Sequence, residues 1–75
     1  MEDKNELYIL LEASYVKREK EKNKLNFNEE DIFPYDWFKI RDYKLKIDIL
    51  LEATEKNMLI KDTESYKELK NNTNN

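Results

Sequence analysis

The sequence predicts an all-α fold: a small helical hairpin or three-helix arrangement, with dimerisation as a means of completing its core. Apolar residues recur every three or four positions in two long segments, which is the pattern of amphipathic helices. The 75 residues include no Gly and one Pro, so tight hairpin turns lack their usual residues. With 41% charged and 39% apolar residues, the chain has material for one small core. We therefore predict a single domain over residues 1–70.

The first predicted helix covers residues 3–23, with Asp3 as its N-terminal cap. Its second half is almost entirely charged, which predicts that this end projects into solvent. Helical spacing predicts a core-facing stripe in the first half, made of Leu7, Leu10, Leu11, Ser14 and Tyr15. The apolar face is widened by Tyr8, Ile9, Ala13 and Val16.

The second predicted helix covers residues 36–57, with Asp36 as its cap. A short helical segment precedes it and ends at Pro34, because the residue before a proline is disfavoured in the helical region. Residues 44–49 alternate polar and apolar as a strand would, but the segment continues into Leu-Leu-Glu-Ala-Thr-Glu-Lys at 50–56, which alternation does not explain. Steps of three and four favour a helix whose apolar stripe is Ile40, Tyr43, Ile47, Leu50, Leu51, Thr54 and Met58.

A third, short helix is predicted over residues 63–70, followed by a disordered polar tail over residues 71–75. The sequence also repeats itself in part: Ile-Leu-Leu-Glu-Ala-Ser at 9–14 returns as Ile-Leu-Leu-Glu-Ala-Thr at 49–54. Two interpretations stay open. In the first, two amphipathic helices have converged on one pattern. In the second, the two segments are equivalent, either as helices packed antiparallel or as the same surface on two protomers.

Composition excludes most enzyme classes. Without His or Cys the chain has no imidazole base, thiol nucleophile, zinc site or disulfide. Without Gly it has no phosphate-binding loop. The adjacent carboxylates Glu29, Glu30 and Asp31 point in different directions on a helix and do not form a facing pair. We expect no catalytic residue, no metal ligand, no cofactor and no enzymatic activity.

The N-terminus is acidic and polar, the reverse of a secretory signal, and the longest apolar run is residues 7–11. A membrane span needs about 20 apolar residues, so we expect a cytoplasmic protein with no membrane partner. Lys far outnumbers Arg and Asn is abundant, which suggests an AT-rich genome such as that of a bacterium or its phage.

Aromatic residues cluster around Pro34, and they are the most informative feature of the sequence. Trp, Tyr and Arg are enriched at binding hot spots because they bring large, stiff, amphipathic area. The same residues also supply bulk to a small core, and the sequence leaves both roles open. The predicted partner-binding residues are Tyr35, Trp37, Phe38 and Arg41.

These features predict a non-enzymatic protein–protein interaction module that regulates or inhibits a larger partner protein. The predicted partner is this larger protein, a second copy of the chain, or both. One alternative is a nucleic-acid-binding regulator that uses the basic and aromatic segment 37–48, with Lys39, Arg41, Lys44 and Lys46 on phosphates. The net charge of −3 argues against nucleic acid as the partner. Another alternative is a purely structural small oligomer, and a third is charge-driven inhibition of a basic partner by the acidic segments 1–16 and 25–36.

Overall fold

In the computed structural model, which describes residues 3–25 and 28–73, four α-helices and two short 3-10 turns follow one another along the chain. The helices are α1 (Asp3–Lys22), α2 (Glu29–Ile32), α3 (Tyr43–Lys56) and α4 (Glu64–Thr73). The 3-10 turns span Trp37–Lys39 and Ile60–Asp62. The described residues contain no strand, which confirms the predicted all-α class. The alternating segment 44–49 lies within α3.

The core forms where α1 and α4 pack against α3. Its centre consists of side chains with almost no exposed surface, and aromatic rings supply much of its volume. Such rings bury more area per residue than aliphatic side chains, which suits a chain this short. The buried apolar residues are Tyr8, Tyr15, Ile32, Phe33, Trp37, Ile47, Ile49, Leu50, Ala53, Ile60 and Tyr66.

The buried face of α1 differs from the predicted stripe. Tyr8 and Tyr15 are buried as predicted, whereas Leu7, Leu10 and Ser14 are exposed. Glu19 is also buried, although it lies in the half that was predicted to project into solvent. Hydrogen bonding permits the burial of Tyr15, since a buried tyrosine needs a partner for its hydroxyl group. The Tyr15 hydroxyl donates to the carbonyl of Ile32 and accepts from the N–H of Ile60 at 3.2 Å. Tyr15 therefore ties α1 both to α2 and to the second 3-10 turn.

The long second helix begins at Tyr43, and the prediction that it starts near residue 36 is wrong. Asp36 makes no side-chain cap, and its carboxylate instead pairs with Lys70 of α4. After the first 3-10 turn the backbone is extended at Ile40, which allows the ring of Trp37 to turn into the core. Asp42 caps α3 and accepts from the N–H groups of Lys44 and Leu45.

The C-terminal end of α3 is closed by Asn57, which has a left-handed conformation at φ 54°. Asn is one of the few non-Gly residues that adopt it readily. Arg18 of α1 donates to the carbonyls of Ala53 and Met58 at 3.0 and 2.9 Å. A cation thus satisfies the negative end of the α3 dipole.

The last helix starts one residue later than predicted and runs further. Thr63 caps this helix, since its Oγ1 accepts from the N–H of Tyr66 at 3.2 Å. Helix α4 continues to Thr73, so residues 71–73 of the predicted disordered tail are helical. Residues 74 and 75 lie outside the described part of the chain.

Candidate functional site

The segment 33–38 divides its aromatic residues between the core and the surface. Phe33 is buried and Trp37 has 0% of its surface exposed, whereas Tyr35 is 84% and Phe38 67% exposed. The fourth predicted binding residue, Arg41, is also exposed. We call exposed Tyr35 and Phe38, together with half-buried Pro34, the aromatic surface.

The structure places Trp37, one of the predicted partner-binding residues, in the core, where its side chain has no exposed surface in the free chain. Its indole Nε1–H donates to the Glu12 carboxylate at 3.0 Å, which fixes the ring against α1. The ring also lies 6.1 Å from Phe33, in a stacked arrangement. Trp37 is a core residue beneath the exposed side chains of segment 33–38.

Local sequence explains why this segment turns as it does. Phe33 precedes Pro34 and is extended, as a residue before proline prefers. The carbonyl of Pro34 then accepts from the N–H of Trp37 at 3.0 Å, and Asp36 does the same for Lys39. This tight turning sends Trp37 inward and leaves Tyr35 and Phe38 on the opposite side.

Each of the two exposed rings, Tyr35 and Phe38, contacts a neighbouring side chain. The ring of Phe38 lies 5.4 Å from that of buried Phe33, and the ammonium of Lys39 lies 4.7 Å from the centre of the Tyr35 ring. Aromatic and cation–π contacts of this kind contribute roughly 0.5–1.5 kcal/mol each. Phe38 is therefore packed on a buried ring in the free chain, whereas Tyr35 contacts an exposed lysine side chain.

Charged residues of opposite sign flank the aromatic surface. On one side Glu29 and Glu30 of α2 line an open groove together with Pro34, Tyr35 and Phe38. On the other side Phe38 lines a second groove that includes Lys39 and Arg41. Phe38 thus forms a ridge between an acidic edge and a basic edge.

Beneath this region lies a polar cluster that sequence reasoning missed. The Glu12 carboxylate accepts from the Tyr8 hydroxyl at 2.6 Å and from the Trp37 indole. The ammonium of Lys46 lies 5.0 Å from the Tyr8 ring centre and 4.8 Å from that of Trp37, and it is 3.4 Å from the Tyr8 hydroxyl. The four-residue spacing of Tyr8 and Glu12 was the one available signal, since it places both on one helix face.

Burial and charge shift the ionisation of this cluster. Burial, reinforced by the neighbouring Glu12 carboxylate, raises the pKa of Tyr8 well above its usual value. Burial lowers the pKa of Lys46, and Glu12 opposes that shift. Each polar group has a partner inside the cluster, and the cluster joins α1, the first 3-10 turn and α3.

The basic segment 37–48 does not present its lysines as one phosphate-binding row. Lys46 is buried between two rings, and Lys44 forms an ion pair with Asp48 at 3.8 Å. Lys39 covers the Tyr35 ring. Arg41 is the remaining predicted phosphate ligand, and it is exposed.

A second carboxylate, Glu52, joins α3 to α4. It accepts from the N–H groups of Glu64 and Ser65 at 2.8 and 3.1 Å, and from the Ser65 hydroxyl at 2.8 Å. The Glu64 backbone bond is the largest of the contacts that lower the pKa of Glu52 to about 2. Glu12 and Glu52 hold the same place in the repeated hexapeptide, and each accepts hydrogen bonds from an element that follows its own helix.

Within residues 3–25 and 28–73 no group of acidic side chains is arranged to hold a metal ion. None of the helices described there has the length and apolar character that crossing a membrane requires. Comparison of the chain with protein-family models, with curated proteins and with solved structures finds no match to any of them.

Proposed function

We propose that the chain is a non-enzymatic protein–protein interaction module that regulates or inhibits a larger partner, which it binds through the aromatic surface. The observation that carries the proposal is the exposure of Tyr35 and Phe38 on a segment that Trp37 anchors in the core. Large aromatic side chains in a fixed position are the usual source of binding energy at protein interfaces.

Pre-organisation strengthens this argument. Ordering a flexible side chain at an interface costs about 0.5–1.5 kcal/mol. Tyr35 is already held by Lys39, and Phe38 by Phe33. For Phe38, whose ring packs on a buried ring, part of that cost is therefore met in the free chain.

Charge defines the chemistry of the partner. The acidic edge at Glu29 and Glu30 favours Lys or Arg on the partner, and the basic edge at Lys39 and Arg41 favours Asp or Glu. We propose a partner segment with a large apolar side chain that packs on Phe38 and Tyr35, and with charges of opposite sign on its two flanks.

Nucleic acid is the less favoured partner. Phosphate binding needs clustered cations that face outward, and Lys46 is buried while Lys44 is paired with Asp48. The net charge of −3 also disfavours binding to the phosphates of nucleic acid.

The test is affinity capture from the native host, with and without nuclease, using the wild type and the double variant Tyr35→Ala/Phe38→Ala. We expect one protein to be retained by the wild type and lost with the double variant. Leu25→Ala is the matched control, since it removes an almost fully exposed apolar side chain elsewhere. Glu29→Lys/Glu30→Lys also weakens capture if the acidic edge faces cations.

Three results would contradict the proposal. Equal capture by the wild type and the double variant would place binding on another surface. A capture that disappears with nuclease would indicate nucleic acid. A partner lost equally with Leu25→Ala would show that the aromatic surface is not specific.

A further inference from the structure

The outer face of α1, made of Ile9, Leu10 and Ala13, is apolar and points away from the core. Ile9 is 54% and Leu10 64% exposed, and Ala13 is exposed as well. Aliphatic residues on a helix normally face the core. On α1 the buried positions are held by Tyr8, Tyr15 and Glu19, with Leu11 and Val16 packed partly against the core.

The repeated hexapeptide shows what this face is able to pack. In α3 the equivalent residues Ile49, Leu50 and Ala53 have 0% of their surface exposed. The same three residue types in the same helical spacing therefore build a fully packed face in one helix and an open face in the other.

Charges at the two ends of the outer face complement each other. Glu6, Leu10, Ala13 and Lys17 follow one another at steps of four, three and four, and so lie along one stripe of α1. The stripe carries an anionic residue at its first position, apolar residues in its middle and a cationic residue at its last. It spans about 16 Å at the helical rise of 1.5 Å per residue.

We propose that this chain forms a homodimer in which the outer faces of two α1 helices pack antiparallel. The two-fold axis crosses the helices at the level midway between residues 11 and 12. In that register Leu10 lies opposite Ala13 of the second copy, so that a large side chain meets a small one. Glu6 lies opposite Lys17 of the second copy, and symmetry makes each contact twice. A parallel pairing would instead place Glu6 against Glu6 and Lys17 against Lys17.

The contact is short, and the dimer is accordingly weak. One helix face of about three turns buries less than the roughly 1,200 Å² of a standard stable interface. We expect dissociation in the micromolar range. This dimer uses a different face from the aromatic surface and does not depend on the proposed function.

The experiment is sedimentation equilibrium over a concentration series from about 1 µM to about 1 mM, which brackets such a dissociation constant. The wild type is expected to shift from monomer to dimer within this range. Leu10→Lys removes the central apolar contact and is expected to leave a monomer throughout. The introduced ammonium lies four residues after the Glu6 carboxylate, a favourable spacing within α1, so the helix itself is maintained. Leu25→Lys is the matched control and is expected to dimerise as the wild type does.

Charge exchange tests the register. Glu6→Lys or Lys17→Glu alone places like charges together at both ends and is expected to raise the dissociation constant about tenfold. The double variant Glu6→Lys/Lys17→Glu restores both pairs. Its dissociation constant is expected to lie within about threefold of the wild-type value.

A wild type that stays monomeric at about 1 mM, or a Leu10→Lys variant that still dimerises, would overturn the proposal. Failure of the double charge exchange to rescue would overturn the antiparallel register. The outcome is separate from that of the capture experiment, because neither Tyr35 nor Phe38 is altered.

Discussion

Replacing Trp37 by Ala is expected to unfold the protein or nearly so. The side chain has no exposed surface, and removing such an aromatic residue from a core costs about 3–5 kcal/mol. The loss of the indole donor to Glu12 adds about 1 kcal/mol. A chain of this size rarely has more than about 3–5 kcal/mol of total stability without a disulfide or a metal ion. The substitution therefore removes most of it.

Tyr35→Ala is the matched control, since the two residues are two positions apart. About one sixth of the Tyr35 side chain is buried, so at 150–250 Å² for a whole ring its removal loses roughly 25–40 Å². At about 25 cal/mol per Å² this is no more than about 1 kcal/mol. The free energies of unfolding of the two variants thus differ by about 3 kcal/mol or more.

Urea unfolding followed by far-ultraviolet circular dichroism measures both variants, and it does not depend on the fluorescence of the tryptophan that one of them lacks. We expect Tyr35→Ala to unfold close to the wild-type midpoint, and Trp37→Ala to show little cooperative transition. If Trp37→Ala unfolded within about 1 kcal/mol of the wild type, Trp37 would not be a core anchor and the separation between core and aromatic surface would fail.

Three further substitutions test the polar contacts. Glu52→Gln is expected to cost about 1–2 kcal/mol of unfolding free energy at neutral pH, because it weakens the cap of α4. Folding lowers the pKa of Glu52 from 4.5 to about 2, so the wild type loses this stability as pH falls between those values. Urea unfolding at several pH values should show the unfolding free energies of the two proteins converging at low pH. Glu12→Ala leaves the Tyr8 and Trp37 donors without their acceptor and should cost about 1–3 kcal/mol by the same assay, whereas Glu12→Gln, which keeps an acceptor, should cost less; equal costs would show that the hydrogen bonds contribute little. Tyr15→Phe leaves the buried Ile60 N–H unpaired and should cost about 1–3 kcal/mol; amide exchange at Ile60 as slow as in the wild type would contradict this.

Periodicity was enough to predict the helical class and to place α1, because these depend on patterns that lie within one segment. The start of α3 was missed because Asp36 and Asp42 are both plausible caps, and the choice between them depends on where Trp37 packs. That packing joins residues that are distant in sequence.

The buried side of α1 was missed for a related reason. The sequence pattern put Leu7 and Leu10 on one stripe with Tyr15, but of these three only Tyr15 is buried. Its hydrogen bonds to Ile32 and Ile60 join residues distant in sequence, and no local rule contains them. The aromatic segment was correctly singled out as a place where core and surface compete. Which ring took which role was decided by the turn at Pro34.

The aromatic surface as a protein-binding site is the central claim, and site-specific photocrosslinking in the native host tests it most directly. A photoreactive phenylalanine analogue replaces Tyr35 or Phe38, and Leu25 in a control. The account predicts that positions 35 and 38 give one and the same adduct, which is destroyed by protease and resists nuclease, and that position 25 does not give it. An adduct that nuclease removes, an equal adduct from position 25, or no adduct from positions 35 and 38 would contradict it.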